Sequence, residues 1–348
     1  MSTPDAASSQ LNTRPRTIRP ISMADVAQLA GVSGQTVSRV VNGLTNVDAA
    51  TKARVLDAMK TLGYRPNIAA RALRTGRSRS IGVIMFSLST FGNHKTLDAI
   101  ATAAADEGYS TTLFPILHPS QAAVSNAFER LSAQAVDGIV VVIEAHMLDS
   151  AEISLPPGLP LVIVDSNAGE HYLVVDTDQS QGARLATEHL IDLGHANVWH
   201  ISGPPGSYSA TRRTDSWRNT LRENGIEPPS VLVGDWSTQS GYEHGLKLAR
   251  DLKVTAIFAS NDQMALGVMR AMHESGRSIP GSVSVVGFDN TEESQSFWPP
   301  LTTISQDFGT VGKLCLAKLL AEITSGSSAT GTTLVPTSLI VRESTARP

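Results

Sequence analysis

The sequence predicts an α/β protein in which two doubly wound parallel-sheet subdomains follow a small, all-α head. Three observations predict this fold class. A chain of 348 residues is too long for one ordinary core. From residue 80 onward, apolar runs of strand length alternate with helix-like segments, which is typical of parallel sheets covered on both faces. Residues 1–79 carry a formal charge of +8, whereas the remaining 269 residues carry −12.

The composition narrows the classes of protein that the chain can belong to. A hydrophobic content of 41% and a charged content of 17% predict a soluble globular protein. The single cysteine, Cys315, excludes an intrachain disulfide, which fits a reducing compartment. Residues 1–20 contain three arginines but no apolar segment of a secretory signal, so we expect a flexible tail on a cytoplasmic protein.

The head is predicted to contain three helices before its linker. Ser22 is placed to cap the first helix, Ser33 the second, and Asp48 the third, which should end at Gly63. The first two helices meet at a glycine turn near Gly31. A pair of short helices joined in this way is typical of a helix-turn-helix, although other αα-hairpins share the pattern.

The second helix has the side chains that a DNA-reading helix needs. Its valines fall on one face, and Gln35, Thr36, Ser38 and Arg39 fall on the other. Glutamine can pair with adenine and arginine with guanine in the major groove, while serine and threonine suit phosphates. The basic head therefore predicts a DNA partner, and the alternative from charge alone is a solvated charged face.

A short fourth helix is predicted between the head and the body, beginning at Pro66. With about eight residues it is too short to be stable alone, so we expect it to form on DNA. Leu73 would then act as an apolar wedge in the minor groove. The alternative is a linker in which Leu73 packs on a neighbouring segment.

The body is predicted from seven apolar runs and one final strand. Most of the runs are followed by helix-like segments, such as residues 181–195 and 261–276. A loop at 324–333 precedes the final strand, "LVPTSLIV" (334–341). The seven runs span residues 80–86, 111–117, 138–143, 160–165, 197–203, 255–260 and 283–289.

Polar residues follow several of these strands, where ligands bind in open parallel sheets. Asp165, the Asn261-Asp262 pair and Asp289 each stand at a strand end, and Trp236 follows another strand. Carboxylate, amide and guanidinium groups beside an aromatic ring suit the hydroxyls and the apolar face of a sugar. Such residues can instead cap the next helix; for the Asn261-Asp262 pair we expect one residue to cap and the other to face the cleft.

The sequence does not favour an enzyme or a metal site. It lacks the G-x-S-x-G, P-loop and G-x-G-x-x-G motifs. His189, His195 and His200 stand without a metal-ligand pattern, so we expect them to pack, cap or face solvent. We expect no cofactor.

The segments "DVAQLAGVSGQTVSRVVNG", "GYRPNIAARAL", "SNDQMALGVMRAMHESG" and "SVVGFDNTEESQSFWPPLTTISQDF" closely resemble the lactose repressor (LacI) family of bacterial transcription regulators. The resemblance extends over nearly the whole chain. It implies a body like periplasmic binding proteins, and a repressor that a galactoside-like inducer releases from a palindromic double-stranded DNA operator. The tetramer-forming leucine tail known in the family does not follow residue 348, so a homodimer is expected.

The resemblance also implies which residues contact DNA. Gly34 and Gln35 open the recognition helix, where the family sets its operator preference, and Gly34 stands where a tyrosine would be implied. The hinge helix would place Leu73 in the minor groove. The implied DNA-binding residues are Ser33, Gly34, Gln35, Thr36, Ser38, Arg39, Asn42, Asn67, Ala70, Arg71 and Leu73.

For the ligand, the resemblance implies a ring site and a substituent site. Sugar hydroxyls would bind Arg213, Asn261 and Asp289, and the sugar ring would pack on Trp236. Asp165, Ser209 and Phe308 also match pocket positions. Around the substituent, this sequence has Phe86, Thr90 and Asn93 where small or apolar groups are implied.

Other functions stay open at this point. The effector could be a β-glucoside or an oligosaccharide, or it could act as a corepressor. A sugar-capture protein for transport is the alternative of a different class, but it would need an export signal and no basic head.

We expect the following domain boundaries: a tail at 1–20, a helix-turn-helix domain at 21–66, a hinge helix at 67–78, and a sugar-binding and dimerisation domain at 79–348. Within the last, the N-subdomain should comprise about 79–177 and 308–335, and the C-subdomain about 178–307 and 336–345.

Overall fold

A computed structural model describes residues 21–41, 46–65, 76–86, 88, 90–116, 120–142, 155, 157–165, 171–326 and 329–348. Their contacts divide the chain into two compact units, Met1–Gly76 and Arg77–Pro348, here called the head and the body. The tail at 1–20 and most of the predicted hinge helix lie outside the described residues. None of the helices within the described ranges is both long and apolar enough to cross a membrane.

The described part of the head consists of α1 (Met23–Ala30), α2 (Gly34–Val41) and α3 (Ala49–Leu62). The predicted caps are confirmed. Ser22 and Asp25 form a capping box, in which the Ser22 amide donates to Asp25 Oδ2 at 2.7 Å. The Thr36 amide donates to Ser33 Oγ at 3.1 Å, and Asp48 Oδ1 accepts from the Thr51 amide at 2.9 Å. These bonds satisfy amide groups that each helix start would otherwise leave unpaired.

The head has a small apolar core that fixes the angle between its helices. Val26 of α1, Val37 and Val40 of α2, and Val55 of α3 are buried against one another. Gly31 joins α1 to α2 with a φ of 65°, a conformation that costs glycine little. The apolar stripe of α2 therefore faces inward and its polar residues face outward, which confirms the predicted helix-turn-helix.

In the described part of the body, the strands form two six-stranded sheets, which confirms the predicted pair of parallel-sheet subdomains. Sheet A has the order β11-β5-β4-β3-β1-β2 and is parallel throughout; sheet B has the order β12-β10-β9-β8-β6-β7, with only β12 antiparallel. The strands are β1 (Ser80–Met85), β2 (Ser110–Pro115), β3 (Gly138–Val142), β4 (Leu161–Val164), β5 (Leu173–Thr177), β6 (Trp199–Ser202), β7 (Leu232–Val233), β8 (Ala256–Ala259), β9 (Ser284–Asp289), β10 (Thr302–Ser305), β11 (Gly331–Val335) and β12 (Ser338–Ile340).

Helices cover both faces of each sheet. Alternate residues of β1 show this arrangement: Val83 packs with Ile100 and Leu319, whereas Ile84 packs with the cluster around Phe128. Strands buried on both faces need apolar residues at every position, which explains the continuous apolar runs in the sequence. The helices are α4 (Phe91–Asp106), α5 (Gln121–Ala133), α6 (Gln179–Asp192), α7 (Tyr208–Glu223), α8 (Thr238–Ala249), α9 (Asp262–Glu274) and α10 (Phe308–Ser325), and a 3-10 helix spans Glu292–Ser296.

His200 lies in the core of the sheet B half and not at a chemical site. Its ring stacks between Trp217 and Phe258, with centroid distances of 5.0 and 4.8 Å. Its nitrogens contact the Phe258 carbonyl and Thr214 Oγ1. Burial lowers the pKa of His200 to about 3, so the ring is neutral at physiological pH.

The helices α8 and α9 pack through glycines. A Cβ atom on Gly241 would overlap the Met264 carbonyl oxygen, and one on Gly267 would overlap the Thr238 carbonyl oxygen. A Cβ atom on Gly245 would lie 2.7 Å from the Cβ of Ala271. The two backbones can approach this closely only because these positions carry no side chain.

The predicted final strand is wrong in one respect. "LVPTSLIV" is not one strand, because β11 ends at Val335 in sheet A and β12 begins at Ser338 in sheet B. Pro336 has no amide hydrogen to continue a ladder, and the Thr337 amide donates instead to Gln181 Oε1 at 2.7 Å. Two short strands with polar ends, β5 and β10, were also absent from the prediction.

Three segments of the described chain cross from one sheet to the other. The first joins β5 to α6 and the second joins β10 to α10. The third is the Pro336-Thr337 link between β11 and β12. The two subdomains of the body are therefore connected by a set of short strand-end segments at one place.

Candidate functional site

The outward face of α2 is the candidate DNA-reading surface. Ser33, Gly34 and Gln35 are exposed, and Thr36, Ser38 and Arg39 are half-buried. A Cβ atom on Gly34 would meet nothing within 4 Å, so this position leaves an open gap at the start of the helix. The described part of the predicted DNA-binding set therefore lies on one outward surface.

The other predicted DNA contacts lie outside the described residues. They are Asn42, Asn67, Ala70, Arg71 and Leu73.

A cavity with about 570 Å³ of empty space lies between the carboxyl ends of the strands of sheets A and B. Its position is the one expected for ligands of parallel α/β sheets. Residues at or just after the carboxyl ends of β4, β5, β8, β9 and β10 all contribute to it. The lining residues are Thr90, Phe91, Gly92, Asn93, Thr96, Val142, Val164, Asp165, Asp176, Thr177, Gln179, Ser209, Arg213, Trp236, Asn261, Asp289, Gln306, Phe308 and Val311.

The structure brings nine of the ten predicted ligand residues together. They are Thr90, Asn93, Asp165, Ser209, Arg213, Trp236, Asn261, Asp289 and Phe308.

Phe86 is the exception and requires a correction. It does not line the cavity; it packs beside Ile84 and Phe128 on the outer face of sheet A. Side chains alternate along a strand, so Phe86 shares the face of Ile84 and points away from that of Met85.

Several polar lining residues were missed in the sequence. Gln179 and Gln306 each stand at a crossing between the sheets, a feature that local sequence patterns do not reveal. Asp176 stands near the end of a strand, as Asp165 and Asp289 do. The apolar run "LVVD" would have pointed to Asp176 had β5 been recognised.

Arg213 is the centre of a buried polar network. Its Nε donates to Gln179 Oε1 at 2.8 Å, and its Nη1 donates to the Ser260 carbonyl oxygen. Its Nη2 lies 3.8 Å from Asp289 Oδ1, and only 4% of Arg213 is exposed. The guanidinium group also lies 3.6 Å from the centroid of the Phe288 ring. Packing and hydrogen bonds therefore hold the group in one orientation.

The same network includes both glutamines. Gln306 Nε2 donates to Asp289 Oδ1 at 2.6 Å, and Gln179 Nε2 donates to Gln306 Oε1 at 3.3 Å. The contacts run in a closed circuit from Arg213 through Gln179 and Gln306 to Asp289. Groups arranged in this way are positioned in advance for a polar ligand.

Trp236 forms an aromatic wall of the cavity. A Cβ atom on Gly203 would overlap its ring, so that glycine makes room for the indole. Trp236 itself has a positive φ of 73°. Its Nε1–H is buried, and no group in the described part of the chain accepts its hydrogen bond. An indole N–H in such a place usually has an acceptor, which a ligand oxygen could supply.

The expectation for the Asn261-Asp262 pair is wrong. Asn261 both caps α9, where its Oδ1 accepts from the Met264 amide at 2.8 Å, and lines the cavity. Its Nδ2 donates to the Trp236 carbonyl oxygen at 3.0 Å. Asp262 is fully buried away from the cavity, where it accepts from Thr303 Oγ1 at 2.6 Å, and burial raises its pKa to about 6. One side chain can do both tasks because an amide group has a donor and an acceptor.

The opposite side of the cavity is more apolar. Phe91 and Phe308 form an edge-to-face pair with a centroid distance of 6.1 Å, beside Val142, Val164 and Val311. The cavity therefore combines a polar half, built mainly from the sheet B side, with a partly apolar half from the sheet A side. Within the described residues, no group of three His, Cys, Asp or Glu side chains is arranged to hold a metal ion.

Comparison with known proteins places these features in a family. A family model described as "Bacterial regulatory proteins, lacI family" matches residues 22–67, and one described as "Periplasmic binding protein-like domain" matches residues 187–345. The chain is 36% identical over 333 residues to the lactose operon repressor of Escherichia coli (strain K12), covering 95% of this chain and 92% of that protein. It is 34% identical over 325 residues to the HTH-type transcriptional repressor PurR of Pasteurella multocida (strain Pm70), covering 92% and 97%.

Solved structures agree with this placement. The lac repressor dimer bound to operator and the anti-inducer ONPF is similar with a TM-score of 0.82 and 36% identity, covering 94% of this chain and 100% of that one. The complex of the transcriptional regulator CelR with cellobiose is similar with a TM-score of 0.68 and 29% identity, covering 94% and 100%.

Proposed function

The chain belongs to the lacI family of bacterial regulatory proteins, and on that basis we propose that a galactoside-like inducer in the cavity releases it, as a homodimer, from a palindromic operator. At the coarser level, it is a DNA-binding transcriptional repressor with a sugar-binding domain, in a family of regulators and not of enzymes. With DNA as its partner, we place its action in the cytoplasm.

The observation that carries the sugar proposal is the closed circuit of Arg213, Gln179, Gln306 and Asp289 beside Trp236. Sugar hydroxyls both donate and accept, so a guanidinium, a carboxylate and two amides can bind several of them at once. The indole ring can pack against the apolar C–H face of a pyranose, and its N–H can donate to a ring hydroxyl.

The choice of a galactoside is supported by the 36% identity to the lactose operon repressor. The structure of CelR with cellobiose favours a second candidate, a β-glucoside or an oligosaccharide. A regulator in which the ligand acts as a corepressor is a further alternative, which the sign of the ligand's effect on operator binding will distinguish. A role in sugar transport is disfavoured, because residues 22–67 match a regulatory DNA-binding domain and a sugar-capture protein has no use for such a domain.

The homodimer is supported by a relative of known structure. The similar lac repressor structure is described as a dimer on operator. A two-fold dimer matches the symmetry of a palindromic operator. Sedimentation should therefore give a mass of two chains, and a monomer at micromolar concentration would contradict this proposal.

The proposed mechanism couples the cavity to DNA affinity. An inducer that contacts both subdomains stabilises one arrangement of them, and we propose that this arrangement is the one with low operator affinity. Coupling between two ligands is reciprocal, so operator DNA must weaken inducer binding by the same factor as inducer weakens operator binding. The sign of the coupling tests the mechanism: operator affinity should fall as inducer is added, and a rise would mean that the ligand acts as a corepressor.

Leu73→Ala is expected to weaken operator binding at least tenfold and nonspecific DNA binding less than twofold. The reason is that a side chain wedged into the minor groove acts only in the specific complex. Fluorescence anisotropy with operator and scrambled duplexes measures both effects. Leu56→Ala on α3, where Leu56 is 49% exposed, is the matched control and should change neither. Equal losses on the two duplexes would mean that Leu73 only packs.

The test of the ligand class is thermal unfolding of the intact protein with a panel of sugars. A ligand at about 100 times its dissociation constant stabilises the folded state by about 2.7 kcal/mol. We expect a clear rise in Tm with galactosides. A rise only with cellobiose or other glucosides would favour the second candidate, and no rise with any sugar would overturn the sugar proposal.

A further inference from the structure

We infer that Asp176 is a specificity-determining residue of the cavity, whose carboxylate accepts a hydrogen bond from a ligand hydroxyl or amine and repels anionic ligands. This inference rests on the proposed sugar function and goes beyond it by naming a third acidic contact and the charge class of the ligand.

The position of Asp176 in the strand carries the first part of the argument. It is the fourth residue of β5, after Leu173, Val174 and Val175, which are all buried in the apolar clusters of sheet A. Only 4% of Asp176 is exposed, and it lines the cavity. A strand buried on both faces is the place where an apolar side chain is most stable, so a carboxyl group there is costly.

The hydrogen bonds of Asp176 carry the second part. Its Oδ1 accepts from the Thr177 amide at 2.7 Å, and among the described residues that is the one hydrogen bond its carboxylate receives. A buried carboxylate has about four acceptor sites on its two oxygens. The remaining acceptor sites of the Asp176 carboxylate are therefore available to a ligand in the cavity.

The charges around Asp176 carry the third part. From neighbouring elements, Asp165 and Asp289 line the same cavity, and Arg213 is the basic group among the described lining residues. Arg213 is already engaged by Asp289 and by hydrogen bonds to Gln179 and Ser260. Three carboxyl groups against one guanidinium group favour a neutral or cationic ligand and disfavour a carboxylated or phosphorylated one.

The protonation of Asp176 follows from these surroundings. Burial raises its pKa to about 7, while the Thr177 amide, Arg213 and Arg212 of α7 act in the opposite direction, and Asp178 acts with burial. Burial and the Asp176 charge also raise the pKa of the Cys315 thiol on α10, which therefore stays neutral. Carboxyl groups whose pKa is strongly shifted are more frequent in functional cavities than elsewhere in proteins.

The pH dependence has a definite sign. A ligand donor binds the ionised carboxylate more strongly than the acid, because a charged acceptor makes the stronger hydrogen bond, so binding releases protons wherever the free protein is protonated at Asp176. Below a pKa of about 7, affinity should fall by up to about tenfold per pH unit; above it, affinity should be constant.

The experiment is isothermal titration of the full-length protein with methyl β-D-galactoside, cellobiose, D-galactosamine and D-galacturonic acid at pH 6, 7 and 8. The variants are Asp176→Asn and Asp176→Val, with Asp106→Asn, an exposed residue of α4, as the matched control. For the parent, we expect neutral-sugar affinity to rise at least fivefold from pH 6 to pH 8 and galacturonic acid to bind at least tenfold more weakly.

For Asp176→Asn, we expect the affinity for neutral sugars to fall at least tenfold at pH 8 and to be independent of pH between 6 and 8. Asp176→Val should lose more of this affinity. Both ligand-free variants should keep or raise the Tm at pH 8, because they remove a buried charge, and this measurement shows that the fold is intact. If the parent, but neither Asp176 variant, binds D-galactosamine more tightly than the neutral sugars, the ligand group that donates to Asp176 is an ammonium. If the parent shows no such preference, the donor is a hydroxyl.

Two results would overturn the inference, and they are distinguishable. If a sugar binds the parent and Asp176→Asn with equal affinity and equal pH dependence, Asp176 is not a ligand contact and the proposed sugar function stands. If no sugar in the panel binds the parent at any pH, the inference and the proposed function both fail.

Discussion

Arg213→Ala is expected to lower inducer affinity at least 100-fold and to leave operator affinity within twofold of the parent. The guanidinium group is 4% exposed and holds Gln179, the Ser260 carbonyl oxygen and Asp289 together. Removing it leaves the Asp289 charge without its cationic neighbour. It also removes from the cavity the strongest hydrogen-bond donor that the protein offers to a ligand. Losing one partner of such a buried pair typically lowers the free energy of unfolding by about 3–5 kcal/mol, so the Tm of the variant should fall as well. The head does not include this residue, so its DNA contacts remain.

The measurement is operator binding by anisotropy with and without a saturating sugar, together with the Tm of each variant. Arg213→Lys keeps the charge but loses the planar fork, so it should recover only a small part of the affinity. Arg222→Ala, an exposed arginine of the same helix, is the matched control and should respond to sugar as the parent does. A wild-type response from Arg213→Ala would show that the ligand does not use this network.

Gly267→Ala is expected to lower the free energy of unfolding of the sheet B half by about 3 kcal/mol, the upper part of the usual range for overpacking. The added methyl group would overlap the Thr238 carbonyl oxygen and crowd the Tyr242 amide, and backbone atoms cannot move aside as the end of a flexible side chain can. The helices α8 and α9 would have to separate. The close contacts at Gly241 and Gly245 and the packing of the core beside them would then be disturbed as well.

Tryptophan fluorescence during urea unfolding checks this prediction. All four tryptophans of the chain, at positions 199, 217, 236 and 298, belong to the sheet B half, so the signal reports on that half. His273→Ala in the last turn of α9 is the control, because this side chain is exposed and belongs to the same half of the body. An unchanged urea midpoint for Gly267→Ala would mean that the helix pair adjusts at little cost.

Much of the fold could be predicted because local rules act at each step. Helix caps at Ser22, Ser33 and Asp48 depend on one side chain and an amide three residues away. Continuous apolar runs follow from burial on both sheet faces. The errors arose where short segments depend on distant partners: Pro336 divides one apparent strand between two sheets, a fact that only the pairing of the strands reveals.

The candidate site was predicted best where a residue ends a recognised strand. Asp165 and Asp289 were found in this way, whereas Asp176 was missed together with its strand β5. The family resemblance placed Phe86 in the site, but strand alternation turns it to the other face. Gln179 and Gln306 meet only in three dimensions, since 127 positions separate them in the chain.

The two glutamines stand at the segments that connect the subdomains, and their hydrogen bond joins two of the three crossings. In the proposed mechanism, the parts that would recognise the ligand are therefore also the parts that would move when the subdomains rearrange. A designer who changes Gln179 or Gln306 to accept a new sugar will alter the dose at which the protein responds as well. Natural variation at these two positions is subject to the same constraint, so new effector preferences should arise more readily through Thr90, Asn93 and Asp176, which leave that hydrogen bond intact.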